Sequence, residues 1–584
     1  MRPLIDPRLG DVEDDASSTK RRSLFAITGS LLAEISFPKL ILAWIVLFLL
    51  PGLLLGLAPL IVSGWLTTLS RKVAVLFSGA WPFAVLVIAV VAGWLGGRHL
   101  LRAAEQSFWS LNAVAVQPGY ALCRECMRHL MEHLLARDGS ADATRFRAAA
   151  AAGAGLILCA IGLGVVLLAW PTSRWLGTIE DLAAPHRLVA PALANTAVLI
   201  GGYLAAAALA WGIADATMDQ PRDISKFDQP PLHARIWRVA HVSDLHVVGE
   251  RYGFRIESGR SGPRGNERLL RLLERLQQEH DDRGLDFLLI TGDMTDAGRS
   301  AEWAEFLAAL ERFPHLAART LMLPGNHDVN VVDRANPARL DLPISPGGRL
   351  RQLRTLSALA AVQGASVRVV DAATGRLGDT LERALEPYQT GVAEFADKGT
   401  LQLSTRLAGL WADVFPMVLP PVAEDGLGII LLNSAAGTHF SFTNALGLVS
   451  SEQTRALLGV VGQFPRAHWI IALHHHLVEY PKLATALSER IGTALINGSW
   501  LVRQLQPLGR RAVIMHGHRH IDWIGECGGL RIVSAPSPVM EATDDMTTSL
   551  LVHRLATGPD GLRLMTPERI EIAGSGARAL SSIS

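Results

Sequence analysis

Thr320-Leu321-Met322-Leu323-Pro324-Gly325-Asn326-His327-Asp328 is the stretch from which the rest of the chain is read. A short apolar run leads into a proline-glycine turn, which delivers an amide, an imidazole and a carboxylate in succession. Four other apolar runs end in polar, metal-capable residues. Ile236 to Val242 leads into Ser243-Asp244-Leu245-His246, and Leu285 to Ile290 into Thr291-Gly292-Asp293. Trp469 to Leu473 leads into His474-His475-His476, and Ala512 to Met515 into His516-Gly517-His518-Arg519-His520. Read as strands alternating with amphipathic helical segments, they predict an α/β domain from Ile236 onward. Ligands bind beyond the carboxyl ends of strands in such sheets, so the five clusters can converge although they are far apart in sequence.

The residue types fit one chemistry. Two divalent ions about 3.5–4 Å apart can clamp the attacking and leaving oxygens of a phosphoryl displacement. Holding them takes carboxylate, amide and neutral imidazole donors, with one carboxylate bridging. The clusters supply these donors without a cysteine, a mix that suits Mn, Fe or Zn better than a thiolate or carboxylate-only site would. A lone Gly-Asp or Asp-x-His is common and says little. Gly325-Asn326-His327-Asp328 after a strand says more, as does Gly517-His518-Arg519-His520, and all five in order are improbable by chance.

This ordered set resembles the calcineurin-like metallophosphoesterase superfamily, over roughly residues 236–555. The resemblance implies an αββα four-layer sandwich with a dinuclear metal site at one edge. It implies that Asp244, His246 and His520 hold one ion, that Asn326, His474 and His518 hold the other, and that Asp293 bridges them. It makes His327 the acid at the leaving oxygen and Asp328 the group that orients His327 through its other ring nitrogen. A metal-bound hydroxide would be the nucleophile. The family places the histidine ligand directly after the strand, which selects His474. His475, His476, His516 and Arg519 are expected to line or support the site or to meet substrate. The family often has proline where His476 stands.

Between the motifs, residues 429–434 read as a strand and Ser450 as the N-cap of a following helix. Residues 530–534 and 549–553 read as edge strands. Residues 329–425 are too long for a simple connection and carry helical patterns, which predicts a helical insertion near the site. Arg251, Arg255, Arg260 and Arg264 lie on a Gly-rich loop that either meets an anionic substrate or is solvated.

The first third of the chain reads differently. The whole chain has a net charge of only +1, but its apolar residues crowd this region. Four uncharged stretches, about residues 40–66, 76–97, 148–172 and 188–213, are each long enough to span a bilayer as a helix, with Pro51 and Pro59 kinking or delaying the first. Lys20, Arg21 and Arg22 lie in the tail 1–39. Seven arginines, from Arg98 to Arg147, lie in the loop 98–147. This bias places the tail, the loop and the C-terminal domain in the cytoplasm of a multi-pass inner or plasma membrane protein. The Lys20-Arg21-Arg22 run also loosely resembles a twin-arginine export signal, but Glu34 and Lys39 interrupt the apolar region that should follow. Cys123, Cys126, His129 and His133 share one amphipathic helix, which cannot wrap four ligands around an ion. Residues 215–235, with Pro221, Pro230 and Pro231, read as a linker to a domain over 236–584.

The expected function is a metal-dependent phosphoesterase acting on a small phosphodiester or phosphomonoester, with cyclic nucleotides first among candidates. The expected partners are that small substrate and the lipid bilayer, with no nucleic-acid module in view. Two alternatives are a hydrolase of a lipid phosphoester and a membrane sensor or scaffold built on the same fold.

Overall fold

The computed structural model describes residues 3–9, 11, 45, 49–76, 116–135, 140–178, 185–230, 235–249, 265–332, 339, 341, 346–371, 374–438, 441, 444–481, 495–539 and 547–573. The chain forms two compact units. One is Met1–Ile35 with Asp219–Ser584, and the other is Ser36–Met218.

The larger unit contains two mixed sheets. In the six-stranded sheet, Ile236–Val242, Phe287–Ile290 and Thr320–Met322 run parallel as neighbours. Thr548–Gly558 pairs antiparallel with the first of these, and with Gly561–Leu564 and Glu568–Ile572. In the nine-stranded sheet, Leu427–Leu431, His468–Ala472, Ala512–His516 and Leu530–Ser534 form a parallel centre. The first three of these segments in chain order, Leu427–Leu431, His468–Ala472 and Ala512–His516, are buried at every position, as parallel strands covered on both faces require. Val239, Leu288 and Leu550 from one sheet share a single core with Ile429, Ile470 and Val513 from the other. Each such side chain contributes about 1.5–3 kcal/mol when fully buried. Ser450 caps the helix Ser451–Gln463 by accepting from the Gln453 amide, as its position predicts.

Three expectations change. Leu530–Ser534 and Thr548–Gly558 are interior strands, because each also pairs with a neighbouring strand, Trp523–Cys527 and Gly561–Leu564 respectively. The insertion is only partly helical. Beside helices such as Pro346–Gln363 and Gln389–Lys398, it adds Arg368–Val370, Leu377–Thr380 and Met417–Leu419 to one end of the nine-stranded sheet. Within the expected linker, Arg222–Asp223 pairs with Trp523–Cys527 at the sheet's other end.

The smaller unit is helical where it is described, with helices Leu50–Leu76, Gln117–Leu135, Ser140–Ala169 and Val189–Ala216. Its segments Phe146–Thr172 and His186–Ala216 are long and apolar enough to cross a membrane. Leu156, Ile161, Leu167, Leu168, Val189 and Ile213 on them are exposed. Within the expected first span, the α-helix Leu50–Leu76 is described and carries Pro59 inside it. Nearly all of the expected second span, 76–97, lies outside the described residues, as does the twin-arginine segment. Small residues bring the helix backbones together: a Cβ on Gly56 would lie 2.1 Å from the Ala192 carbonyl oxygen. Cys123, Cys126 and His129 lie on the expected helix, and no metal-holding group among the described residues includes them.

Candidate metal centre

The structure brings the five clusters together. Each follows a parallel strand, three in the six-stranded sheet and two in the nine-stranded one. The turns themselves carry the signature. Asp244, His246, Asp293, His518 and His520 have φ of 57°, 45°, 52°, 74° and 52°, and they are the only non-glycine residues with positive φ among the described residues. Each such residue costs about 1–3 kcal/mol and persists only where its surroundings over-determine it. Here the loops bond to each other: the Leu245 and His246 amides donate to the Asp293 carbonyl at 2.8 and 3.0 Å, and the His518 amide donates to Asp244 Oδ2 at 2.9 Å. The packing leaves no room at Gly325, where a Cβ would sit 2.0 Å from Asp293 Oδ1.

Donor atoms of Asp244, His246 and His520 lie within 4.8 Å of one another, and so do those of Asp293, His474 and His518. His520 Nε2 is 3.2 Å from Asp244 Oδ1, and His246 Nε2 is 3.8 Å from Asp293 Oδ2. His474 Nδ1 lies 2.7 Å from the Thr291 carbonyl, which can only accept, so the ring proton sits there. Its Nε2 therefore offers a lone pair. Facing that lone pair are Asp293 Oδ2 at 3.2 Å, Asn326 Oδ1 at 3.0 Å and His518 Nδ1 at 3.1 Å. Two oxygens that only accept and a second imidazole nitrogen converge on that atom, and a cation among them satisfies all four. The donor set fits a divalent metal.

Electrostatics agree. Burial would raise Asp244, but His520 and His474 hold it down at about 2, and Asp293 is likewise held well below the usual carboxylate range by His474 and His327 against the same desolvation. Burial pushes His246 down to about 4, and His475, His476 and His518 well below their ordinary value. Burial also opposes His474, yet the Asp293 carboxylate lifts it to about 9, because a proton on Nε2 is stabilised at the same point where a cation would otherwise satisfy the neutral ring's lone pair. The pocket thus holds two ionised carboxylates among mostly neutral imidazoles.

His327 lies beside this group, its ring edge-on to His246 with centroids 4.5 Å apart. Its own amide donates to Asp293 Oδ1 at 2.8 Å. The pairing of His327 with Asp328 is corrected. Asp328 turns inward and accepts from the Gly325 and Thr295 amides, each at 2.9 Å, and from Thr295 Oγ1 at 2.7 Å. Being three residues into a helical turn, its carboxylate caps that turn and cannot reach the ring. Burial and the nearby Asp293 raise it to about 6. The Asp296 carbonyl takes the place of Asp328, 2.7 Å from His327 Nδ1. Asp296 Oδ1 is also 3.5 Å from His246 Nδ1. Sequence reasoning missed Asp296, although it stands three residues after Asp293 in the same turn. It missed Ser434 too, whose hydroxyl accepts the His474 and His475 amides, both at 3.1 Å.

The remaining expected residues pack behind the ligands. His475 Nδ1 is 2.9 Å from Ser434 Oγ, His476 stacks 6.0 Å from His518, and His516 stacks 6.1 Å from Tyr480. All three are buried. The Arg519 guanidinium lies 5.8 Å over the Tyr480 ring. Arg251, Arg255, Arg260 and Arg264 lie outside the described residues.

Comparison with known proteins agrees with this geometry. Residues 238–379 match the family model described as calcineurin-like phosphoesterase. That stretch spans Asp244 to Asp328 but ends before His474, so the last two motifs stand on geometry. No curated protein matches the chain. Solved structures similar to it include a Staphylococcus aureus protein described as a 5'-nucleotidase, at 13% identity and a TM-score of 0.30, covering 58% of this chain and 55% of that one. A purple acid phosphatase from yellow lupin (Lupinus luteus) seeds matches at 13% identity and a TM-score of 0.26, covering 59% of this chain and 55% of that one. The chain thus spans about half the length of each. They add nothing to the family match: residues 238–379 of the larger unit are similar to calcineurin-like phosphoesterases, and the metal-capable side chains of that stretch lie together with those of the last two motifs.

Proposed function

We propose that this chain is a membrane-anchored phosphoesterase with a dinuclear Mn, Fe or Zn site acting on a small phosphodiester or phosphomonoester, cyclic nucleotides first among them. The convergence of Asp293 Oδ2, Asn326 Oδ1 and His518 Nδ1 on His474 Nε2 carries this reading. Asp244, His246 and His520 would hold one ion, and Asn326, His474 and His518 the other. Asp293 stands between the sets and would bridge them. When bound, the ions supply Lewis acidity that activates water and offsets phosphoryl charge. The chain's own residues do the rest. His327 keeps one proton on Nδ1 against the Asp296 carbonyl, so Nε2 is the atom that delivers a proton to the leaving oxygen. Asp328 locks the two turns that carry Asp293 and Asn326 to each other.

Residues 3–9 and Asp11 belong to the same compact unit as the chain from Asp219 onward. That supports an even number of crossings, in keeping with four spans and a cytoplasmic domain. The exposed apolar side chains on Phe146–Thr172 and His186–Ala216 favour a second reading, a lipid phosphoester presented at the bilayer.

The test uses the full-length chain, metal-stripped and resupplied with Mn, on cyclic nucleotides, aryl diesters and lipid phosphates. Turnover of a small ester is expected, lost in Asp293→Ala and strongly reduced in His327→Ala. His327→Ala should retain both metals. If neither variant changes the rate, the assigned chemistry is wrong, and two bound metals with no turnover would favour the sensor reading.

A further inference from the structure

The segment that precedes the membrane-type helices reaches the catalytic unit by a route the reaction does not require. Ile5 is buried in the core, and its amide donates to Ser357 Oγ at 2.8 Å. Asp11 is fully buried. Its carboxylate accepts from both Nε and a terminal nitrogen of Arg354, itself buried on the insertion helix Pro346–Gln363, and from Ser300 Oγ at 3.0 Å. A buried guanidinium holds its place only while its carboxylate partner is present, because an uncompensated buried charge is strongly destabilising.

What Arg354 holds matters more than the pair itself. Its other terminal nitrogen donates to the Gly298 carbonyl at 2.9 Å, and the Gly298 amide donates to Thr295 Oγ1 at 3.2 Å. That hydroxyl is the one bonded to Asp328. Between Thr295 and Gly298 lies Asp296, whose carbonyl fixes the His327 ring. Asp11 and Ser300 therefore anchor one end of the turn, and Asp328 the other.

We infer that Asp11 is a positioning residue for the phosphoesterase site, acting through Arg354 and the Thr295–Ser300 turn on the His327 imidazole. The inference rests on the role proposed for His327. It predicts a distinctive defect: a misaligned acid slows esters with poor leaving groups, which need the proton, more than esters with good ones. A loss of fold or of metal would slow both equally.

The experiment uses the full-length chain with Mn and a pair of aryl phosphoesters, one releasing 4-nitrophenol and one releasing phenol. In Asp11→Asn, kcat for the phenol ester should fall about tenfold, a fraction of what a general acid supplies, and for the 4-nitrophenol ester less than about threefold. KM and metal content should stay unchanged. Equal losses on both esters, or none, overturn the inference. His327→Ala is run beside it. If that variant shows the leaving-group dependence and Asp11→Asn does not, only this inference fails. If His327→Ala shows none, the proposed acid falls and takes the inference with it. Should Asp11→Asn not fold, Ser300→Ala removes one hydrogen bond to the same carboxylate without touching its charge. It is expected to show the same skew at smaller size, and an even response sinks the idea.

Discussion

The two units bury polar groups in opposite ways. In the helical unit, Asn195 is fully buried, and its side chain donates to the Gly56 and Arg174 carbonyls at 3.0 and 2.7 Å and accepts the Arg174 amide at 2.9 Å. Thr196 Oγ1 bonds the Gly52 and Ala192 carbonyls in the same manner. Donor meets acceptor, and the group is finished. At the candidate metal centre, His474 Nε2 meets two oxygen acceptors and a second imidazole nitrogen, and the backbone at Asp293 and His518 is held left-handed. A satisfied buried polar group is a fastener, whereas acceptors forced together mark a place built for something else.

That contrast can be broken most sharply at Asp293. Asp293→Ala removes the carboxylate proposed to bridge the two ions, and should cost at least about 10³-fold in turnover together with metal content measured by mass spectrometry. A variant that kept both metals would show that Asp293 does not bridge. Next comes Gly325→Ala, where the new methyl would meet Asp293 at 2.0–2.3 Å. Relieving that overlap displaces the carboxylate by about an ångström, which should reduce kcat about 10²-fold while leaving the fold intact by circular dichroism.

A smaller effect is expected at Glu302. It is buried, and its carboxylate accepts from the Ala297 and Arg299 amides at 2.9 and 3.1 Å. Burial raises it to about 8. A carboxyl whose folded value lies above its unfolded value of 4.5 adds stability that is fully present below pH 4.5 and lost as pH rises through about 8. Thermal melts of wild type and Glu302→Gln, which keeps an acceptor but cannot ionise, should therefore separate across that window, with the variant gaining as pH rises. Parallel curves would show that the carboxyl does not titrate there. Smallest is Asn195→Ala, which should destabilise the helical unit by about 1–2 kcal/mol in detergent and leave phosphoesterase turnover unchanged. A loss of turnover would mean that Asn195 is more than a fastener.

The parts of the site that were readable are those where residue type and strand end coincide. Asp244, Asp293, Asn326, His474 and His518 each follow an apolar run that does form a strand. What escaped has no such marker. Asp296 acts on His327 through its backbone carbonyl, an atom every residue owns. Ser434 acts through one hydroxyl after a strand named only for its apolar pattern. The resemblance assigns Asp328 to the His327 ring, but a helical turn points successive side chains apart. The interior place of Leu530–Ser534 depended on Trp523–Cys527, whose mix of Trp, Gly and Glu hides the alternation.

By itself, the sequence determined the periodic and the chemical: the strands, the long apolar helical stretches, and the donors delivered where strands stop. These follow from local rules, a side-chain period or a glycine turn, that act within a few residues. Only the tertiary structure decided which carbonyl holds His327, that part of the linker and insertion extends a sheet, and that Asp11 reaches Arg354 across more than half the chain. Those choices depend on which surfaces meet once the two sheets share a core. Local sequence carries no record of a partner that distant.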